Sequence, residues 1–199
     1  ITGTALLMLY EEGHFELDDP VGQYLPELAN LRVEIAAGPE GKLRTVAAEH
    51  AVTIRELMTH TAGFTYGRFS ESQADTLYVE VDLQNRDTTL ADMVTKLGDI
   101  PLRQQPGTRW HYSVAVDIQA RLVEVFSAMP FDEFLNKRIF TPLAMVDTGF
   151  FVPVDKQDRL AVSYTPTEDG LKPYSNALWL SKPAFLNGGG GLVSTMDDY

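Results

Sequence analysis

The sequence predicts a mainly helical chain folded as one domain, and three observations carry that expectation. Apolar residues recur at helical spacing in several segments, whereas only two short apolar runs have strand character. Most of the helical segments open on a Ser, Thr or Asp where a cap is needed. No repeat, low-complexity tract or linker divides the 199 residues, a length that suits a single core.

Taken in order, Ile1, Ala5, Met8 and Leu9 share one helix face, and Gly13 stands where a left-handed C-terminal cap is expected. Asp18-Asp19-Pro20 opens a short helical turn through Tyr24. Thr53 and Glu56 form a capping box for a short helix ending near His60. Thr88 or Thr89 caps a helix carrying Leu90, Met93, Val94 and Leu97. Ser113 caps a longer one, with Val114, Ile118, Arg121, Leu122 and Val125 at helical spacing. Another helix runs from Phe131 to Phe140 and stops before Pro142. The strand candidates are Gly149 to Val152 and Leu160 to Tyr164. Asn30 to Ala51 and Phe64 to Arg86 lack a regular pattern and read as long binding loops or lids. Nothing caps a helix before Ile1, while Ser194 with Asp197 looks like a helix start close to Tyr199. Residues 1–199 therefore read as a single partial domain, truncated at both ends within helices.

Charge and composition exclude several functions. Sixteen basic against twenty-eight acidic residues give a net charge of −12, which repels phosphate backbones and anionic lipid, so neither nucleic acid nor membrane is an expected partner. The apolar run from Ala5 to Leu9 is far too short to span a bilayer. Without cysteine, disulfides, thiolate catalysis and Cys-ligated metals all drop out. His14, His50, His60 and His111 show no metal-binding spacing, so no metal is expected. A soluble protein follows; the cytoplasm is slightly favoured over the periplasm or secretion, and the oligomeric state stays open.

A self-contained catalytic apparatus is absent. There is no G-x-S-x-G elbow, no phosphate-binding P-loop and no S-x-x-K. The glycine run Gly188 to Gly191 lacks the G-x-G-x-x-G frame and points to close backbone packing against a neighbour or a ligand. Five segments in fixed order are more informative. They are Glu12-Gly13-His14 through Asp18-Asp19-Pro20-Val21 to Tyr24-Leu25-Pro26; Val52-Thr53 through His60-Thr61-Ala62-Gly63-Phe64; Pro106-Gly107 through Tyr112-Ser113; Ile139-Phe140-Thr141-Pro142-Leu143 to Thr148; and Asn187-Gly188 through Ser194-Thr195.

This series resembles the serine β-lactamase and penicillin-binding-protein superfamily, in particular class C β-lactamases and the carboxylesterases that share their fold. The resemblance covers nearly the whole chain. It implies an α/β fold, an antiparallel sheet flanked by helices beside a mostly helical region, with this chain covering mainly the helical region. It also implies a Ser-x-x-Lys nucleophile motif before Ile1, a third box beyond Tyr199, and no cofactor. Tyr112 matches the tyrosine of the family's Tyr-x-Asn box, which implies a general base. A phenol of ordinary pKa about 10 takes a serine's proton only if cations stabilise its phenolate. The missing lysine and the helix start after Ser113 would serve that end. Trp110 and His111, beside Tyr112, are candidates to line the acyl pocket, with a core role for Trp110 as the alternative. Ser113, Gly188, Gly189 and Gly190 are candidate substrate contacts near what the resemblance implies is the active-site floor, with backbone packing as the alternative for the glycines. The resemblance makes His60 structural, satisfied by nearby backbone. Tyr66, Phe69 and Trp179 are further cleft candidates. One departure counts: Val114 stands where lactamases carry the Asn that binds the substrate amide, which favours an ester over a lactam. The expected function is thus a serine carboxylesterase acting through an acyl-enzyme on small or short-chain esters. A β-lactamase or D-Ala-D-Ala peptidase, and a non-catalytic binding protein of the same fold, are the alternatives.

Overall fold

The longest helix, α5 (Ala115–Ser127), runs through the apolar interior and sets the frame for the rest. Its Ala115, Ile118, Ala120, Leu122 and Val123 are sealed from solvent, each large side chain contributing about 1.5–3 kcal/mol on burial. The computed structural model describes residues 1–35, 43–68 and 72–199. Helix α1 (Thr2–Glu11) packs on α5 through Ala5, Leu6 and Leu9. It ends as the sequence predicts. Gly13 has φ of 80°, and the N–H groups of Gly13 and His14 return to the carbonyls of Tyr10 and Leu9 at 2.9 and 3.1 Å.

The capping signals read from sequence are found in place. Thr53 accepts from the Glu56 N–H while Glu56 reaches back to the Thr53 N–H, opening α2 (Ile54–Met58). Helix α4 (Leu90–Gly98) starts at Thr89, and Thr88 instead donates to the Asn85 carbonyl. The segment after Pro130 begins as α6 (Phe131–Leu135) and widens into a π-helical turn over Asn136–Phe140. Asp18 to Tyr24 contains a single 3₁₀ turn, Val21–Gln23.

Six expectations need correction. The stretch Asn30 to Ala51 is not a loop throughout: β1 (Arg32–Ile35) and β2 (Arg44–Ala47) pair antiparallel with Val33 opposite Val46. Only Val33 is buried among their residues, and β2 leaves Val46 and Ala47 exposed, so no alternating apolar face is written. Phe64 to Arg86 contains helix α3 (Gln73–Glu80), capped by Ser72, which accepts from the Asp75 N–H. A buried Asp75 sits where the helical period wants an apolar residue. Gly149 to Val152 forms only one bridge, from Gly149 to Val193, and the strand expected at Leu160 lies later, as β3 (Tyr164–Thr167) paired with β4 (Gly170–Pro173). That hairpin is exposed on every residue, which removes any hydrophobic pattern. Ser113 is not the N-cap of α5; Val114 holds that position, and the Ser113 hydroxyl accepts from the Ala115 N–H at 3.4 Å. Near Tyr199 residues 196 to 198 form a turn and not a helix start, and it is the Thr195 hydroxyl that accepts from the Asp198 N–H, at 3.2 Å. Among the described residues no helix is long and apolar enough to cross a membrane.

Candidate active site

The site is assembled from a turn, a neighbouring loop and the start of α5. The turn is His60 to Gly63, with His60 in the left-handed region at φ 55° and Gly63 at φ 91°. The loop, residues 103 to 111, turns at Pro106-Gly107 and lies along that first turn. Arg103 and Gly107 donate their N–H groups to Gly63 and Thr61, both at 2.9 Å, and His111 donates to the His60 carbonyl at 2.8 Å. These three backbone bonds bring Trp110 and Tyr112 beside the His60 ring, with centroids 6.2 and 5.0 Å away.

Tyr112 stays 38% exposed, so its ring is open to solvent and not sealed in the interior. One flank is covered by Tyr66, stacked nearly parallel with centroids 5.5 Å apart. Trp110 is 64% exposed at the rim. Ser113 is buried, and its hydroxyl lies 3.3 Å from His60 Nδ1. The His60 ring is therefore met by a side chain, while its backbone takes the His111 bond. Burial lowers the pKa of His60. Phe69, also a cleft candidate, lies outside the described residues. Trp179 is placed elsewhere, its carbonyl accepting from the Val152 N–H.

Behind Tyr112 runs a chain of groups that sequence reasoning missed. Arg103 donates to His111 Nδ1 at 3.2 Å, which fixes the ring's proton on Nε2. Nε2 lies 3.2 Å from the Thr65 hydroxyl, which in turn donates to buried Asp75 at 2.5 Å. The His111 pKa is lowered, first by burial and then by the Arg103 charge, so a neutral imidazole joins the cation to the carboxylate. This chain locks the backbone on which Tyr112 sits.

The glycine turn approaches from the other side. The Gly188 and Gly189 N–H groups donate to Asp117 Oδ1 at 2.8 and 3.3 Å, and Gly190 donates to Asn187 Oδ1. The Gly188 carbonyl accepts from the Thr2 hydroxyl at 2.7 Å, tying the start of α1 to the turn. Gly189 and Tyr66 are close neighbours, since a Cβ on Gly189 would stand 3.7 Å from the Tyr66 hydroxyl. The glycine turn is thus linked to Tyr112 through Tyr66 and to the start of α1 through Thr2, while Trp110 and Ser113 gather with Tyr112 around His60. The glycines are not equivalent. A Cβ on Gly188 would stand 2.5 Å from the Val116 carbonyl oxygen, whereas one on Gly190 meets only Asn187 Oδ1 at 3.8 Å. Gly188→Ala is expected to lower stability by about 1–3 kcal/mol and Gly190→Ala by less than about 0.5 kcal/mol, read from thermal melts of the two variants.

Size does not mark the site. A cleft of about 420 Å³ lies apart from Tyr112, between Phe140, Phe150, Phe151, Lys156 and Ser194. A smaller one of about 180 Å³ adjoins Tyr66, Gln84 and Val114. Chemistry is concentrated beside the smaller one.

The family model for beta-lactamases matches residues 1–199. The chain belongs to the beta-lactamase family. Among curated relatives, Protein Rv1367c of Mycobacterium tuberculosis is 36% identical across all of this chain and 49% of its own length. Esterase EstB of Burkholderia gladioli is 28% identical across all of this chain and 52% of its own length. Lovastatin esterase of Penicillium rubens is 30% identical over 85% of this chain and 42% of its own. A solved structure of simvastatin synthase from Aspergillus terreus, an engineered variant, superposes with a TM-score of 0.82 at 25% identity, covering all of this chain and 47% of that one. The fold is accordingly β-lactamase-like, and this beta-lactamase family chain spans about half the length of the curated relatives it matches, mainly the helical part.

Proposed function

We propose that this chain is part of a serine hydrolase that works through an acyl-enzyme, with Tyr112 as its general base and small or short-chain carboxylic esters as substrates. The observation that carries the reading is the link from a partly exposed Tyr112, through Tyr66 and the glycine turn, to the start of α1 in a member of a family of serine hydrolases. Residues 1–199 would form part of one β-lactamase-like domain, with Ser-x-x-Lys ahead of Ile1.

In the proposed reaction the serine hydroxyl gives its proton to the Tyr112 phenolate and its oxygen attacks the ester carbonyl. The tetrahedral adduct collapses, the carbon–oxygen bond to the alcohol breaks, and Tyr112 returns the proton to the departing alkoxide. Water then hydrolyses the acyl-serine by the same route in reverse. Trp110, Ser113 and the Gly188 to Gly190 turn surround the acyl group in this scheme. No cofactor is required.

An ester is favoured over a lactam because Val114 is buried and is hydrogen-bonded through its backbone alone, its N–H to the Thr65 carbonyl at 3.1 Å and its carbonyl to the Asp117 and Ile118 N–H groups. No side-chain amide stands there to hold a substrate amide. Two of the curated relatives carry esterase in their names, which supports the same choice. The whole protein, expressed from its complete reading frame, is expected to turn over p-nitrophenyl acetate at least about 10²-fold faster than a cephalosporin, in line with one lost polar contact to the amide. The reverse preference would establish the lactamase or D-Ala-D-Ala peptidase reading, and absence of Ser-x-x-Lys from the residues encoded before Ile1 would establish a binding protein. The 199-residue polypeptide alone should form no acyl adduct with an activated ester by intact mass spectrometry.

A further inference from the structure

We propose that Asp117 is a positioning residue that clasps the glycine turn and holds it against the Tyr66–Tyr112 pair. Its carboxylate, in the first turn of α5 and five residues after Tyr112, is fully sealed from solvent. Oδ1 takes the Gly188 and Gly189 N–H groups, and Oδ2 takes Gln84 Nε2 at 3.0 Å. The same Gln84 nitrogen donates to the Tyr66 hydroxyl at 3.4 Å, and the Tyr66 ring is the one stacked on Tyr112. One carboxylate therefore joins three separate pieces of chain: the helix that follows the candidate base, the aromatic ring that covers it, and the turn across the cleft. The inference rests on the reading of Tyr112 given above, because a clasp at this point matters only if that tyrosine reacts.

A carboxylate in this place is not explained by stability. The groups facing it are neutral: the Gln84 amide after α3, the Tyr66 phenol, the glycine N–H groups of the turn and, beyond them, Thr2 on α1. Arg68 lies across the Tyr66 ring, 5.5 Å from its centroid, and no charged side chain among the described residues offsets the burial of Asp117. Burial pushes its pKa up to about 6, against the three hydrogen bonds that pull it down. The folded protein therefore holds this proton more tightly than the unfolded chain. Asp117 favours the fold fully below the ordinary carboxyl range, and that contribution is lost as pH rises through about 6. At neutral pH a buried anion is kept at a cost, where a neutral amide of the same shape would be more comfortable. What the side chain supplies is one acceptor oxygen shared by the two glycine N–H groups, with its second terminal atom turned to Gln84.

The test uses the whole protein labelled with ¹⁵N-glycine. In the wild type, the Gly188 and Gly189 amide resonances should shift together with a midpoint near pH 6, and in Asp117→Asn they should not titrate. Asp117→Asn should melt higher than wild type at about pH 7.5, the difference closing at about pH 4. With p-nitrophenyl acetate, Asp117→Ala should lose roughly tenfold or more in kcat with KM within about threefold, while Asp117→Asn keeps most of the rate. Glycine amides that stay fixed across the acid range would overturn the clasp, as would full activity in Asp117→Ala. The resonances report on the clasp even in a protein with no esterase activity, so failure of the hydrolase reading would show separately.

Discussion

Replacing Tyr112 by phenylalanine in the whole protein should lower kcat toward an ester by about 10²–10⁴-fold, the range removed with a general acid–base group. The substitution takes away one hydroxyl and leaves the ring. That ring is stacked on Tyr66 and leans on His60, so the local packing survives. Because the residue is 38% exposed, the loss of the hydroxyl should change stability by less than about 0.5 kcal/mol. KM should change little, since the lost interaction is made in the transition state and not in the bound substrate. A rival explanation makes Tyr112 merely part of the cleft wall. Under it, phenylalanine would serve nearly as well, and kcat would stay within about threefold of wild type. Steady-state kinetics on one ester, with thermal melts of both proteins, separates the two. A variant that keeps most of its rate would remove Tyr112 from the chemistry.

The contrast between Tyr112 and Asp117 shows what the sequence reveals and what it hides. Tyr112 is visible because it sits in Pro106-Gly107 through Ser113, a run whose order among other runs has a known meaning. Asp117 is not visible. It stands within an amphipathic helix, where an acid in the first turn reads as ordinary interaction with the helix dipole. Its partners, Gln84 and Gly188, are far away in sequence, and nothing in the spacing brings them together. The same limit applies to Arg103, His111, Thr65 and Asp75, whose chain of hydrogen bonds joins residues from three segments.

Secondary structure divides in a similar way. Helices α2 and α4 bury apolar stripes behind threonine caps that the sequence shows, and the Gly13 end of α1 is legible too, whereas α5 buries Asp117 and Gln119 within its apolar face and is not capped by Ser113. Helix α3 buries Asp75 beside Ala74 and Tyr78, so its period is broken by a residue that belongs to the site. The hairpin of β3 and β4 buries nothing, and strand β2 is exposed along most of its length. Where no face is hidden, no pattern is written.

Replacing Gly63 by alanine should cost the whole protein about 3–5 kcal/mol, enough to leave little folded protein at physiological temperature. Two effects add at this position. The backbone sits at φ 91°, where an L side chain is strained, and a Cβ there would stand 2.3 Å from the Gln104 carbonyl oxygen and 3.4 Å from Leu102 Cβ. The collision is with backbone that cannot retreat. Leu102 is fully buried, and its N–H and carbonyl are both bonded to β1, at 2.7 Å to Arg32 and 2.8 Å to Glu34. Gly13 supplies the comparison, because it has φ of 80° with nothing within 4 Å of its would-be Cβ. Gly13→Ala measures strain alone, about 1 kcal/mol at a helix C-terminus. The difference between the two variants in urea unfolding isolates the collision, and equal losses would show that residues 102 to 104 can move after all. If they can, the Arg103 bond to Gly63 and the His111 bond to His60 must stretch with them. A Gly63→Ala protein rescued by low temperature should then lose activity through a displaced Tyr112, because the turn that carries Gly63 is what sets the tyrosine's place.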